Sequence, residues 1–375
     1  MKNKNQSVAC LLALAIAASA VSVAQADQVV KIGLSSPLTG PQAVSGKDNE
    51  NGVRMALDEL NQKGVVVGGE KLQFELISED DQGDPRVGVQ IAQKLVDEGV
   101  VAVLGPYNSG VALPASAVYK RAGVPILSVA SNPALTTQGF ANVFRIGASD
   151  AQLGGTMANY AAKKLNAKTA AVIDDRTAYG QGLAEEFSKE AERQGIKIIA
   201  QEYTSSSATD FLAILGSIKI KKPDVIFLGG YAAQGAPLVK QMRQRQLPAK
   251  LLGGDSICTP DMGRLAGPDA SVVYCAQGGI ALDSMEKGRA FTKTYKERFN
   301  SDTQVYGVSF YDGMMLLAEA MVKADSTDSQ DLLKQLPKTQ YQGIAGEYRF
   351  DEKGDLTGAP STVYTFENGQ LKVVQ

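Results

Sequence analysis

The chain has 375 residues, 38 lysines and arginines against 40 acids, a net charge of −2, and no histidine. Without histidine there is no Ser-His-Asp triad, no Cys-His pair and no zinc site built on imidazole. No basic stripe stands out against the acidic whole, so nothing marks a nucleic-acid partner.

The first residues read as an export signal. Lys2 and Lys4 open it, residues 8–23 form an apolar run broken only by small residues and two serines, and Ala24-Gln25-Ala26 offers small residues at the two positions a signal peptidase reads. The alternative is a membrane anchor, but the run is short for a span of about 20 residues and the A-x-A site ends it. Cys10 precedes most of the apolar run, the wrong place for a lipid-modified cysteine. Cleavage after Ala26 is therefore expected, with the mature chain in the periplasm. Its 349 residues, 27–375, exceed one ordinary core and fit two domains. Removing the leader takes away two lysines and no acid, moving the net charge from −2 to −4. With no second apolar run of membrane length, the mature chain is expected to be soluble.

Beyond the leader, β-rich runs at 29–33, 72–78, 100–104, 125–129, 170–174, 196–203, 225–228 and 272–276 alternate with amphipathic stretches of helical spacing. Examples of the latter are 52–63, 85–98, 110–121, 151–164, 180–194 and 233–245. This alternation predicts an α/β fold with parallel sheets and helices on both faces. Near the end, Glu367-Asn368-Gly369-Gln370 reads as a tight turn between two alternating strands, so the tail closes as a hairpin.

One pattern occurs in both halves. "VVAVLGPYNSG" and "DVIFLGGYAAQG" each run from a strand into a glycine-containing turn, a tyrosine (Tyr107, Tyr231) and a helix start. Ligands of open parallel sheets bind at that strand end. As a matched pair the tyrosines point to two lobes facing one cleft; singly, each reads better as an ordinary loop residue packing against a helix. After export two cysteines remain, Cys258 and Cys275. An oxidising compartment favours a disulfide between them, the alternative being two buried free thiols.

Several strings, in order, resemble the periplasmic leucine/isoleucine/valine-binding proteins of ATP-driven branched-chain amino-acid importers. They are "VKIGLSSPLTGP", "GVRMALDELNQKGVVVGGEKLQFELISEDDQGDP", "AVLGPYNSGVALPAS", "VFRIGASDAQLG", "YGQGLAEEFSKE", "DVIFLGGYAAQGAPLVKQMRQ" and "YRFDEKGD". The resemblance spans essentially the whole mature chain. It implies a type I periplasmic-binding fold: two doubly wound parallel-sheet lobes joined by a three-strand hinge. The lobes would comprise 27–149 plus 278–352, and 150–277 plus 353–375. It further implies a monomer without cofactor or catalytic activity, closing on an amino acid and presented to a membrane permease that carries the ATPase. A ligand sensor of the same fold, binding an amino acid or small amide, is the alternative.

The site expectations combine chemistry with this resemblance. A carboxylate seeks N–H groups and hydroxyls at a helix start, which Asn108-Ser109 offers between strand and helix. The resemblance gives the carboxylate role to Ser109, backbone contacts to Ala130, and a donor role to Asn132, where the family usually has threonine. Asp255, where the family commonly has glutamate, would face the ammonium. Tyr231 and Tyr179 match tyrosines at the ligand and at the cleft mouth, and Asp150 matches a cleft aspartate near the crossover. Ligand side-chain contacts are expected from Ser45, Tyr107, Asn108 and Tyr306. Ser45 replaces a common aromatic, Tyr107 a common apolar residue, and Gly83 and Asn108 stand where the family often has a disulfide. The pocket thus reads as rebuilt: leucine-like specificity is the default, and a larger, aromatic or polar amino acid, or an amide, stays open.

Overall fold

The computed structural model describes residues 27–358 and 360–374; the leader read over 1–26 lies outside them. The first sheet takes β1 (Gln28–Ser36), β2 (Val66–Val67), β3 (Glu70–Asp80), β4 (Ala102–Leu104), β5 (Ile126–Ser128) and β6 (Val143–Arg145) in the order β2-β3-β1-β4-β5-β6. All its neighbours are parallel except β2 on β3. The second sheet takes β7 (Thr169–Asp174), β8 (Lys197–Tyr203), β9 (Val225–Gly229), β10 (Lys250–Gly253) and β11 (Val273–Gly278) as its parallel part. A small antiparallel pair, β12 (Tyr341–Gln342) and β13 (Glu347–Tyr348), precedes the tail. The tail strands β14 (Ser361–Glu367) and β15 (Gln370–Val373) join the second sheet antiparallel, giving β15-β14-β11-β10-β9-β7-β8. The hairpin turn falls at Asn368-Gly369, both with left-handed backbone, as the sequence predicts.

Helices cover these sheets, and their starts follow local rules. The helices are α1 (Ala43–Lys63), α2 (Pro85–Asp97), α3 (Ser109–Ala122), α4 (Ala134–Thr137), α5 (Asp150–Lys163), α6 (Ala178–Arg193), α7 (Leu212–Lys221), α8 (Ala232–Gln244), α9 (Pro260–Ala266), α10 (Glu286–Phe299), α11 (Gly307–Ala324) and α12 (Ser329–Gln335). Asp84 caps α2 by accepting from the N–H groups of Arg86 and Val87, with Pro85 fixing the first turn. Ser149 and Thr177 cap α5 and α6 in the same way. Among the described residues no helix is long and apolar enough to cross a membrane.

Two departures from the sequence reading have physical reasons. The first helix begins at Ala43, not 52, because its polar first half is buried: Asp48, Asn49, Glu50 and Asn51 all lie inside. There Asp48 accepts from Gly307 N–H at 2.7 Å and Thr303 Oγ1 at 3.0 Å, so α1 holds the start of α11. The strand β6 is absent from the sequence reading: it is only three residues long and ends on a charged residue, Arg145, which is nonetheless 1% exposed. Helices α10 to α12 bring the chain back to the first sheet, with α11 packed on α1 and β4. The chain thus passes between the two sheets three times: after β6, after β11 and before β14.

Candidate functional site

In each sheet the order reverses at a switch point, between β1 and β4 in the first and between β7 and β9 in the second. Loops at such points are where open α/β sheets bind ligands. After β4, Gly105 has φ +110°, and a Cβ there would lie 2.3 Å from the Ser35 carbonyl oxygen. Only glycine lets the chain turn so close to β1. The turn delivers Tyr107 and then Ser109, the first residue of α3. From the neighbouring loop, Ser128 Oγ donates to the Pro106 carbonyl at 2.6 Å and accepts from Ala130 N–H at 3.1 Å. Ser109 Oγ accepts from Asn132 N–H at 3.2 Å, so the Ser109 and Ser131 turns are bound to each other.

The second sheet places its residues through bare backbone contact. A Cβ on Gly229 would sit 2.1 Å from the Gly180 oxygen, and one on Gly180 would sit 2.5 Å from the Gly229 oxygen. The first turn of α6 therefore rests directly on the end of β9. Tyr179 and Tyr231, one residue before and two residues after these glycines, meet with ring centroids 5.0 Å apart. Beyond β10 the chain enters a short 3-10 turn, Asp255–Ile257, which turns both Asp255 and Ser256 inward. Cys258, next in sequence, is joined to Cys275 of β11 with Cα atoms 5.3 Å apart, so the disulfide anchors this turn to the sheet.

These loops close on a small cavity, about 10 Å³, lined by Tyr107, Ser109, Val129, Ser131, Tyr179, Tyr231, Asp255, Ser256 and Tyr306. Asp255 is its electrostatic centre, 1% exposed. Its carboxylate accepts from Tyr179 Oη at 2.8 Å, from Tyr306 Oη, and from Ser256 Oγ at 3.3 Å. Burial pushes its pKa up, and the tyrosine donors oppose that shift. None of the nine lining residues is a cation. Asp255 is therefore a buried acid whose charge is met by hydroxyls and the Ser256 backbone N–H but by no cation among the lining residues, an arrangement that favours an incoming cation. The opposite pole is Ser109 at the N-terminus of α3, with Ser131 from the loop after β5 also lining it; the first N–H groups of α3 have no intrahelical acceptor and its dipole favours an anion.

Six of the sequence-predicted residues line the cavity: Ser109, Asp255, Tyr231, Tyr179, Tyr107 and Tyr306. The other five do not, although they surround it. Ala130 engages both backbone groups elsewhere, its N–H on Ser128 and its carbonyl on Arg145. Asn132 sends its amide to the Ala178 carbonyl at 2.7 Å, across the cleft. Asn108 donates to Gln42 Oε1 at 2.8 Å and to Tyr231 Oη at 3.0 Å. Ser45 sits behind Tyr107, within reach of its hydroxyl. Asp150 is fully buried at the start of α5 with neither oxygen in a well-formed hydrogen bond. Burial holds its pKa well above the ordinary range, the nearby Ser131 hydroxyl opposes that, and the Asp255 charge adds to it. Three lining residues escaped the sequence reading: Val129, Ser131 and Ser256.

Arg145 organises the first-sheet side of the cavity. Its guanidinium donates to the carbonyls of Ala130 and Asn132, to Thr136 Oγ1 at 3.0 Å and to the Asp355 carboxylate. Asp355 belongs to the last passage between the sheets, so this buried arginine ties the Ser131 turn to it. Among the described residues no group of three or more acids or cysteines is placed to hold a metal. A wider crevice of about 1650 Å³ opens between α1 and α9, but the charges on it, such as Lys47, Asp48, Asp261 and Arg264, are mixed and do not converge.

Comparison with known proteins agrees with this geometry. Residues 29–370 match the family described as "Periplasmic binding protein". The Leu/Ile/Val-binding protein BraC3 of Rhizobium johnstonii is 32% identical over 352 residues, covering 93% of this chain and 94% of that one. The leucine-, isoleucine-, valine-, threonine- and alanine-binding protein of Pseudomonas aeruginosa is 30% identical, covering 97% of both. Among solved structures, the leucine binding protein LivK of Thermotoga maritima superposes with a TM-score of 0.85 at 26% identity, over 92% of this chain and 98% of that one. The branched-chain amino acid binding protein LivJ of Streptococcus pneumoniae, in complex with isoleucine, gives 0.82 at 27% identity, over 92% and 99%. From the cleft between two doubly wound sheets, and from a family match spanning nearly all the described residues, the chain belongs to the periplasmic binding protein family.

Proposed function

We propose that this chain is the periplasmic solute-binding component of an ABC importer, and that it grips a zwitterionic α-amino acid between two closing lobes. The observation that carries the reading is Asp255, a buried carboxylate with no cation among the residues lining its cavity, opposite Ser109 at a helix N-terminus and Ser131 from the loop after β5. The α-ammonium would meet Asp255, and the α-carboxylate would meet Ser109, Ser131 and the free N–H groups of α3. The lobes are 27–149 plus 278–352, and 150–277 plus 353–375, hinging at the three passages between the sheets. The relatives' names make branched-chain amino acids the starting class of ligand. The leader is removed after Ala26, the mature protein works as a monomer in the periplasm, and it releases its ligand chemically unchanged to a membrane permease.

The test is calorimetry on residues 27–375 with α-amino acids beside analogues lacking one pole, the matching carboxylic acids and amines. Binding should require both poles. An analogue without the ammonium that binds as tightly as its parent amino acid refutes the role of Asp255.

A further inference from the structure

We propose that the ligand is an α-amino acid whose compact side chain carries a hydrogen-bonding group, a hydroxyl or an amide, and that its aliphatic isostere is disfavoured. This rests on the amino-acid reading above and narrows it away from the branched-chain default. Of the nine residues around the cavity only Val129 is wholly apolar. With Ser109 and Ser131 on the carboxylate and Asp255 on the ammonium, the remaining wall is the hydroxyl-bearing set of Tyr107, Tyr179, Tyr231, Ser256 and Tyr306.

The tyrosines do not present clean apolar faces. Tyr107 and Tyr306 pack edge-on at 6.0 Å, and Tyr179 and Tyr231 pack at 5.0 Å, so each ring is already partnered. Their polar ends gather instead around the 255–256 turn: Tyr179 and Tyr306 on Asp255, Tyr107 toward Ser256.

Two of those hydroxyls keep bonding capacity toward the cavity. Tyr107 Oη has Ser45 behind it, but on the cavity side it reaches Ser256 Oγ only at 3.5 Å, beyond the usual O–H···O range of about 2.5–3.0 Å. Tyr231 Oη accepts from Asn108 at 3.0 Å, which leaves its own proton to find another acceptor. An aliphatic side chain placed here would desolvate these groups and give them nothing in return, whereas a hydroxyl or amide would complete their bonding. Sites built to hydrogen-bond a ligand group reject the analogue that lacks it far more strongly than apolar pockets reject an added group.

The experiment compares isosteric pairs by calorimetry on the mature protein: threonine against valine, and asparagine against leucine. The polar member of at least one pair should bind about tenfold tighter or more. Tyr107→Phe and Ser256→Ala, made singly so that a folding failure in one leaves the other, should each shrink that ratio. Valine and leucine binding as tightly as threonine and asparagine, or tighter, overturns the inference while leaving the zwitterion reading intact. A polar preference that neither variant moves also overturns it, because the hydroxyls named here would not be its source. If no α-amino acid binds and a ligand without the ammonium does, the underlying reading falls and this one with it.

Discussion

Replacing Asp255 by asparagine keeps the shape of the side chain and removes its charge. The carboxylate is 1% exposed and accepts from Tyr179, Tyr306 and Ser256. An ammonium about 4 Å away at an effective dielectric near 20 gains about 4 kcal/mol of Coulomb attraction. Part of that is cancelled by desolvating the ligand, and truncating one partner of a buried charge pair typically costs about 2–5 kcal/mol. The dissociation constant of the best α-amino acid should therefore rise by about 30- to 5,000-fold. Folding should respond differently. Because burial raises the pKa of Asp255, its ionised form is disfavoured in the folded state, and a neutral amide removes that penalty. The ligand-free variant should melt no lower than the parent, while the ligand-induced rise in melting temperature disappears. Calorimetry paired with thermal unfolding separates the two effects. An Asp255→Asn protein that binds within about threefold of the parent would remove the electrostatic reasoning.

Three further expectations concern the frame around the site. Replacing Cys258 and Cys275 together by serine opens a link between residues 17 apart in sequence and should lower stability by about 3 kcal/mol, read from the urea midpoint; an unchanged midpoint contradicts it. Gly229→Ala puts a Cβ 2.1 Å from the Gly180 oxygen and should cost about 1–3 kcal/mol while separating the Tyr179 and Tyr231 rings; a variant as stable as the parent would show that α6 does not rest on β9. Asp81 is buried, accepts from Ser35 Oγ and Gly83 N–H, and has its pKa pushed up to about 6 by burial. Its folded form holds the proton more tightly than the unfolded chain, so stability falls as pH rises from about 4 to about 6, by up to about 3 kcal/mol. Asp81→Asn should remove that component and be the more stable protein at pH 7, and equal pH slopes for the two proteins in urea unfolding would refute the assignment.

Much of the fold is visible in the sequence because strand and helix periodicities alternate cleanly, as at 170–174 followed by 180–194. The hairpin at Asn368-Gly369 is equally plain, since few residues other than glycine and asparagine accept that backbone. The polar start of α1 is not, because periodicity reads buried Asp48 and Asn51 as exposed loop. Their burial depends on α11 and α10, about 260 and 240 residues away, through Gly307 on Asp48 and Tyr295 on Asn51. The same limit applies to the cavity. Tyr107 and Tyr231 show through their strand–turn–helix setting, but Ser256 enters because a 3-10 turn points two successive residues inward, and Ser131 enters because Arg145 holds both neighbouring carbonyls. Neither device leaves a local trace in the chain.

Several groups around the cavity hold one another across the cleft. Asn108 reaches Tyr231, Asn132 reaches the Ala178 carbonyl, and Tyr306 from the α11 side shares Asp255 with Tyr179. Cargo arriving in this protein thus competes with latches the two jaws already make. The free energy separating loaded from empty closure is only what the cargo adds beyond those latches. A permease that senses shape alone would register a background from unloaded molecules, and weakening a latch would lower that noise at some loss of retention.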